Sequence, residues 1–352
     1  MRTRLSFLLL TLAAVAPPTL RAQTTLDLPD TSQKAVIMQR VGITDITISY
    51  HRPLVNGRKI WGGLVPLGQV WRAGANENTT IEFSTPVQIE GKPLPAGKYG
   101  QHMIPNADQW TVIFSKMAVA WGSFTYDEKE DALRVNVKPR DNEMEDALEY
   151  AFENLKADSV DITMKWEKIA VAFHVSVGDD VVLAHIREQF RGRAQYDWVT
   201  FAEAAQYCLT KKTNLDEALK WADASIQQEE RFENLSAKSE ILKALNRNDE
   251  AKKVWEQAIE KSTPQQLYNH ARQLQSQKRD AEAMELFPEV VKRAPQTVVG
   301  HLAQSRLKSA AGDFDGAVAE AKQALATATL APQKTAIEGL IKRLEAKQDI
   351  NK

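Results

Sequence analysis

Residues 160–190 read VDITMKWEKIAVAFHVSVGDDVVLAHIREQF, and the period of the apolar residues changes inside this stretch. Val160, Ile162, Met164 and Trp166 alternate with Asp161, Thr163, Lys165 and Glu167, the period of a half-buried strand. Ile169, Val171, Phe173, Val175 and Val177 resume the alternation after Lys168, so the segment predicts an antiparallel hairpin with a tight connection around Lys168. Beyond Gly178 the spacing becomes helical, with Val182, Ile186 and Phe190 on one stripe. Asp179 and Asp180 stand at the start, where acidic groups favour the helix dipole. Two differently built domains are therefore expected on one chain, a β domain over 35–177 and a helical domain joined through a linker helix over 178–199.

Upstream of the junction the strand period recurs. Ile46, Ile48 and Tyr50 alternate with Thr47 and Ser49, and Leu133, Val135 and Val137 with Arg134, Asn136 and Lys138. Further strands are expected near 79–83, 87–89, 98–103, 110–114 and 147–153, enough for an all-β sandwich of two sheets with no helix before Asp179. Between Tyr50 and Thr79 the alternation stops. That connection carries Tyr50, His51, Arg52, Arg58, Trp61, Trp71, Arg72, Asn76 and Glu77 among its glycines and prolines. A long connection rich in aromatics reads as an ordered functional surface.

These residues resemble a family of secreted bacterial proteins known only as a domain of unknown function, DUF2911. The resemblance rests on Tyr50, Arg52, Pro53, Gly57, Arg58, Trp61, Gly62, Pro66, Trp71, Arg72, Gly74, Ala75, Asn76 and Thr79. It continues through Pro95, Ala96, Gly97, Tyr99, Pro105, Trp110, Trp121, Gly122, Tyr126 and Arg134 to Trp166 and Glu167. It covers roughly 35–177 and implies no activity, cofactor or catalytic residue. Gln101 and His102 depart from it, standing where strand-forming residues are expected.

Downstream, four helical pairs align on their second helices. Ala218, Ala251, Ala283 and Ala317 recur, followed four residues later by Ala222, Trp255, Phe287 and Ala321, then by Ser225, Ala258, Val290 and Ala324. The spacing of roughly 33 residues resembles the tetratricopeptide (TPR) repeat, which implies stacked helix hairpins over 200–345 offering a groove to a protein or peptide partner. On the first helices Gln206, Ser239, Ala271 and Ser305 are expected at the close-approach position. A capping helix is expected at Gln333 to Lys347, with a tail at 346–352.

At the other end, Arg2 and Arg4 precede the apolar run Leu5 to Ala16, and small residues follow before Gln23. This predicts a signal peptide over 1–22 and a tail over 23–34, hence an exported protein, periplasmic or extracellular. The apolar run is well short of the roughly 20 residues a membrane-spanning helix needs. Without Arg2, Arg4 and Arg21 the formal charge goes from −1 to −4, so nucleic acid is not an expected partner. Cys208, the single cysteine, excludes an intramolecular disulfide and falls in a helical pattern as a packing residue.

The leading expectation is a non-enzymatic binding or scaffold protein. Its repeats dock a protein partner, and its β domain presents Tyr50, Arg52, Arg58, Trp61, Trp71, Arg72, Asn76 and Glu77 to a small anionic or glycan ligand, since guanidinium groups pair with carboxylates and aromatic faces stack on sugars. In the structural alternative, the arginines tie the loop to carbonyls and to Glu77 while the tryptophans form a satellite core. An enzyme centred on His51, Glu77 and His102 is the rival reading, but no catalytic, metal or cofactor motif accompanies these residues, and no cofactor is expected. His174 is the weaker candidate there. A carbohydrate-binding module using Trp61 and Trp71 is a third reading.

Overall fold

The computed structural model describes residues 29–352, so the expected signal peptide and residues 23–28 lie outside the described residues. The chain divides into two compact units after Gly178.

The first unit is an antiparallel β-sandwich. Its strands are β1 (Gln33–Val41), β2 (Thr44–Arg52), β3 (Thr80–Phe83), β4 (Val87–Ile89), β5 (Lys92–Leu94), β6 (Gly97–Ile104), β7 (Trp110–Ser115), β8 (Asp131–Val137), β9 (Pro139–Glu153) and β10 (Ser159–Ser176). One sheet runs β1-β2-β3-β6-β7-β8 and the other β5-β4-β10-β9. The fully buried Ile46, Ile48, Ile81, Phe83, Val112 and Phe114 supply the first sheet's inner face. The second sheet meets them with Ile162, Met164, Val171 and Phe173, and Phe114 packs edge-on against Phe173 at 5.6 Å.

Three local expectations are corrected. The alternation changes phase near Lys168 with no turn there: β10 is one continuous strand whose partner is β9, and the pairing slips on both sides of Glu167, which sits at φ +53°. On each side of Glu167 two residues of β10 pass against four of β9, so the surplus residues lie on β9, and the left-handed backbone at Glu167 accompanies the change of phase in β10. β9 is also twice the expected length. Residues 139–146 are polar because β9 is the edge of its sheet, where side chains can stay in water, so alternation did not mark them. A 3-10 turn at Glu128–Glu130, capped by Asp127, precedes β8 in a region expected to hold no helix. The expected strand at 98–103 exists as β6, with Gln101 and His102 inside it and both buried.

The second unit is a helical repeat domain of ten helices among the described residues: α1 (Asp179–Gln189), α2 (Trp198–Lys211), α3 (Leu215–Gln228), α4 (Phe232–Ala244), α5 (Asn248–Lys261), α6 (Pro264–Ser276), α7 (Asp280–Arg293), α8 (Val298–Ala310), α9 (Phe314–Thr327) and α10 (Ala331–Glu345). The aligned alanines of α3, α5, α7 and α9 are buried, and that is why the period shows in the sequence. Helix starts place Ala205, not Gln206, in line with Ser239, Ala271 and Ser305. All four are fully buried, while Gln206 is exposed. At two of these positions a serine donates to the carbonyl of the facing alanine, Ser239 Oγ to Ala251 O at 2.9 Å and Ser305 Oγ to Ala317 O at 2.8 Å.

α1 is more than a linker. Its Leu183 shares a buried cluster with Ala204, Cys208 and Trp221, and Phe190 stacks on Phe201 at 4.3 Å. The expected C-terminal tail is docked as well. Buried Arg306 donates to Ile350 O at 2.7 Å and to Tyr268 Oη at 3.1 Å, and Ile350 itself is buried. Cys208 is fully buried, and that burial pushes its thiol up to about 11, as an inert packing residue requires.

Candidate functional site

The connection between β2 and β3 is built around its tryptophans. Trp61 packs edge-on against Trp110 at 4.8 Å and Trp71 at 5.7 Å, and Trp71 stacks on Trp166 at 5.8 Å. Trp71 also exchanges two backbone hydrogen bonds of 2.8 Å with Met103, which adds it to the edge of β6. Trp110 and Trp166 are fully buried, and Trp61 and Trp71 half-buried. Burying an aromatic ring contributes roughly 1.5–3 kcal/mol, and a well-formed aromatic pair about 0.5–1.5 kcal/mol more. These contacts give Trp61 and Trp71 a packing role that needs no ligand.

Arg52 and Arg58 are likewise occupied. Arg52 Nε donates to Leu148 O at 2.9 Å, with Glu149 3.7 Å away. Arg58 donates to the carbonyls of Val55 and Leu54. Tyr50 accepts from the Tyr150 amide at 3.2 Å, and Asn76 donates to Asp30 and Ser32. Glu77 pairs with His51 Nε2 at 3.1 Å and not with an arginine.

Arg72 differs. It is half-buried, its Nε is buried, and it has no hydrogen-bond or carboxylate partner among the described residues. Burial lowers its pKa, the sign of a cation separated from water without compensation. It follows from a strained backbone: Ala73 holds φ +51°, unusual for a residue with a side chain. The hydroxyls of Thr79 and Tyr150 both donate to the Ala73 carbonyl, at 3.2 and 2.9 Å. Arg72 Nη1 lies against Gly122, where an added Cβ would sit 3.2 Å from it.

Gly122 belongs to residues 116–127, the segment between β7 and β8. Asn78 Nδ2 donates to Met117 O at 3.3 Å, and His102 Nδ1 is 2.9 Å from Ser123 Oγ. Tyr126 donates to Asp131 Oδ2 at 2.6 Å, and Arg134 bonds to both. Cross-strand pairing places His102 in one row with Ile113 and Arg134, so this segment covers the outer face of the six-stranded sheet. His102 is buried beneath it, and burial lowers its pKa to about 4 despite the opposing charge of Asp131, which makes it a neutral imidazole at pH 7. Burial and the bond to Asp131 push Tyr126 up to about 12.

Residues 32–175 form a DUF2911 domain, matching the family model described as a protein of unknown function. No curated protein matches the chain. Arg72 and His102 were singled out from sequence; Asn78 and Asp131, which the fold brings to the same outer face, were not. His102 is bonded to Ser123, and His51 to Glu77. His174 pairs with Asp161 at 2.7 Å. Among the described residues no group of three or more His, Cys, Asp or Glu is arranged to hold a metal ion.

The helical domain carries a second candidate surface. A groove of about 440 Å³ is lined by Gln206 and Thr210 of α2, Ser236 and Glu240 of α4, and His270, Gln273 and Gln277 of α6. An adjoining hollow of about 310 Å³ shares Gln206, Ser236, His270 and Gln273 and adds Gln266 and Asn269. Gln206 thus belongs to the groove wall and not to the helix interface. Lys212 also lines the groove, and the charges at its other end satisfy one another. Arg279 bonds Glu240 at 2.7 Å and Glu282 at 2.6 Å, Lys243 bonds the same two carboxylates, and the hydrogen bond from Arg279 holds Glu282 down at about 2. His270 packs edge-on against Phe232 at 5.5 Å, and burial lowers its pKa. Among the described residues no helix is long and apolar enough to cross a membrane.

Proposed function

We propose that this is an exported, non-enzymatic binding or scaffold protein whose helical repeats dock an extended segment of a protein partner. The supporting observation is the groove shared by α2, α4 and α6, whose walls carry the amides of Gln206, Gln273 and Gln277 side by side. An amide side chain presents a donor and an acceptor together, which matches a peptide backbone whatever its sequence. Because Glu240, Glu282, Arg279 and Lys243 neutralise one another, the groove selects partners by backbone and shape more than by net charge. The helical pairs recur at tetratricopeptide spacing, and that resemblance carries the same implication.

The test is affinity capture with the full exported chain, comparing wild type with the double variant Gln206→Ala, Gln273→Ala. Partner recovery that falls with this variant while helical circular dichroism stays constant supports docking in the groove. Equal recovery from both removes the groove from the account.

A further inference from the structure

We propose that the outer face of the six-stranded sheet, beneath residues 116–127, binds a small monocarboxylate that also carries hydroxyl or ammonium donors and an apolar or ring face. The unmatched groups of this face define that chemistry. Arg72 supplies a guanidinium with no anion beside it among the described residues, and its Nε–H is buried without an acceptor. Asn78 is 7% exposed, and its Oδ1 has no donor. Asp131 Oδ1 is buried and also without a donor, although its Oδ2 is taken by Tyr126 and Arg134. One spare donor cation and two spare acceptors call for one anionic group flanked by N–H or O–H groups.

Buried polar atoms are rarely left unpaired, because each costs about 1–3 kcal/mol, so several on one face point to a ligand that completes them. These groups are contiguous. Asn78 Nδ2 and His102 Nε2 lie 2.5 and 3.4 Å from the point where a Cβ on Gly100 would sit, and His102 reaches Ser123, next to the Gly122 that Arg72 touches. A side chain at residue 100 would collide with Asn78 and with the Met117 carbonyl, 2.6 Å away, so glycine is what lets Asn78, His102 and the covering segment meet on this face.

The charge count selects a monoanion. Arg134 is engaged with Asp131 and with Glu128 at 3.1 Å, so Arg72 is the half-buried cation of this face left to meet the ligand, and a phosphate dianion would exceed its single charge. The covering segment supplies the apolar part of the site. Trp121 and Phe124, 66% and 78% exposed, stack at 5.7 Å beside Arg72, and exposed Val119 precedes them. An apolar ring pair in water next to an unpaired guanidinium suits a ligand with one charged and one apolar face. α-Amino acids and uronic acids share this chemistry.

The test is calorimetric titration of the full chain with L-amino acids and with D-glucuronate and D-galacturonate, each alongside its neutral amide or parent sugar. Saturable binding of a carboxylate at millimolar concentration or tighter, absent for its neutral counterpart, is expected. Arg72→Gln should weaken it roughly tenfold or more, as expected for one charge-assisted hydrogen bond. Binding confined to the amino acids or to the uronic acids identifies the source. Trp121→Ala, at an exposed ring, repeats the test if Arg72→Gln does not fold. No binding by any carboxylate, equal binding of the neutral counterpart, or full affinity in a folded Arg72→Gln or Trp121→Ala protein overturns the proposal.

Discussion

Lowering the pH from 7 toward 4 should destabilise the DUF2911 domain through His102. Its ring is buried beneath residues 116–127, and that burial lowers its pKa to about 4 from the ordinary 6.5 of a free imidazole. Above pH 6.5 both folded and unfolded chains hold a neutral imidazole, and the group has no effect on stability. Between 6.5 and 4 the unfolded chain takes up a proton that the folded domain refuses, so stability falls as the pH falls. The slope is about 1.4 kcal/mol per pH unit, for a total of about 3 kcal/mol, and it levels off once the folded ring also protonates. Urea unfolding at several pH values, followed by near-ultraviolet circular dichroism of the tryptophan cluster, reads this domain. Subtracting the same curve for His102→Gln cancels His51, His174 and the carboxylates. A difference that grows between pH 6.5 and 4 is expected. Parallel curves, or a His102 ring resonance titrating near 6.5, would refute the reasoning.

Three further outcomes follow from packing. Gln101 is fully buried on the inner face with neither amide atom hydrogen-bonded among the described residues, so Gln101→Met should raise the urea stability of its domain by about 1–3 kcal/mol; a loss of stability would mean that the amide is satisfied. Ala205→Gln should cost the helical domain about 2–5 kcal/mol through overpacking and a buried amide, whereas Gln206→Ala should change its thermal stability by less than about 0.5 kcal/mol; the reverse order would restore the register read from sequence. Removing residues 349–352 deprives Arg306 of the Ile350 carbonyl and exposes the contacts of Ile350, an expected loss of ~3–5 kcal/mol in denaturant unfolding; an unchanged midpoint would show the docked end to be dispensable.

The architecture was legible because burial follows one period in each half. Inward residues of the strands alternate, and the alanines of α3, α5, α7 and α9 recur where helices touch. Phase was harder to read than period. The change of phase at Glu167 looks like a turn until the partner strand is known, and Gln206 is separated from Ala205 only by where α2 begins. Partnering was not legible at all. Arg52 and Arg72 are the same residue type in one connection, yet Arg52 meets a carbonyl 96 residues away and Arg72 meets none among the described residues. Asn78 and Asp131 stand out only because one oxygen of each is left over after folding. Trp121 and Phe124, flanking Gly122 and Ser123 in a stretch without alternation, were the available signal for the covering segment.

Site-directed photocrosslinking tests the docking claim most directly. A photoreactive residue in place of Gln273 in the groove is compared with one in place of exposed Lys253 on α5, in the cells that make the protein. The account predicts a discrete crosslinked partner from position 273, mapped to one extended segment of it, and none from position 253. Equal capture from both positions, or none from position 273 while the domain remains folded, would contradict it.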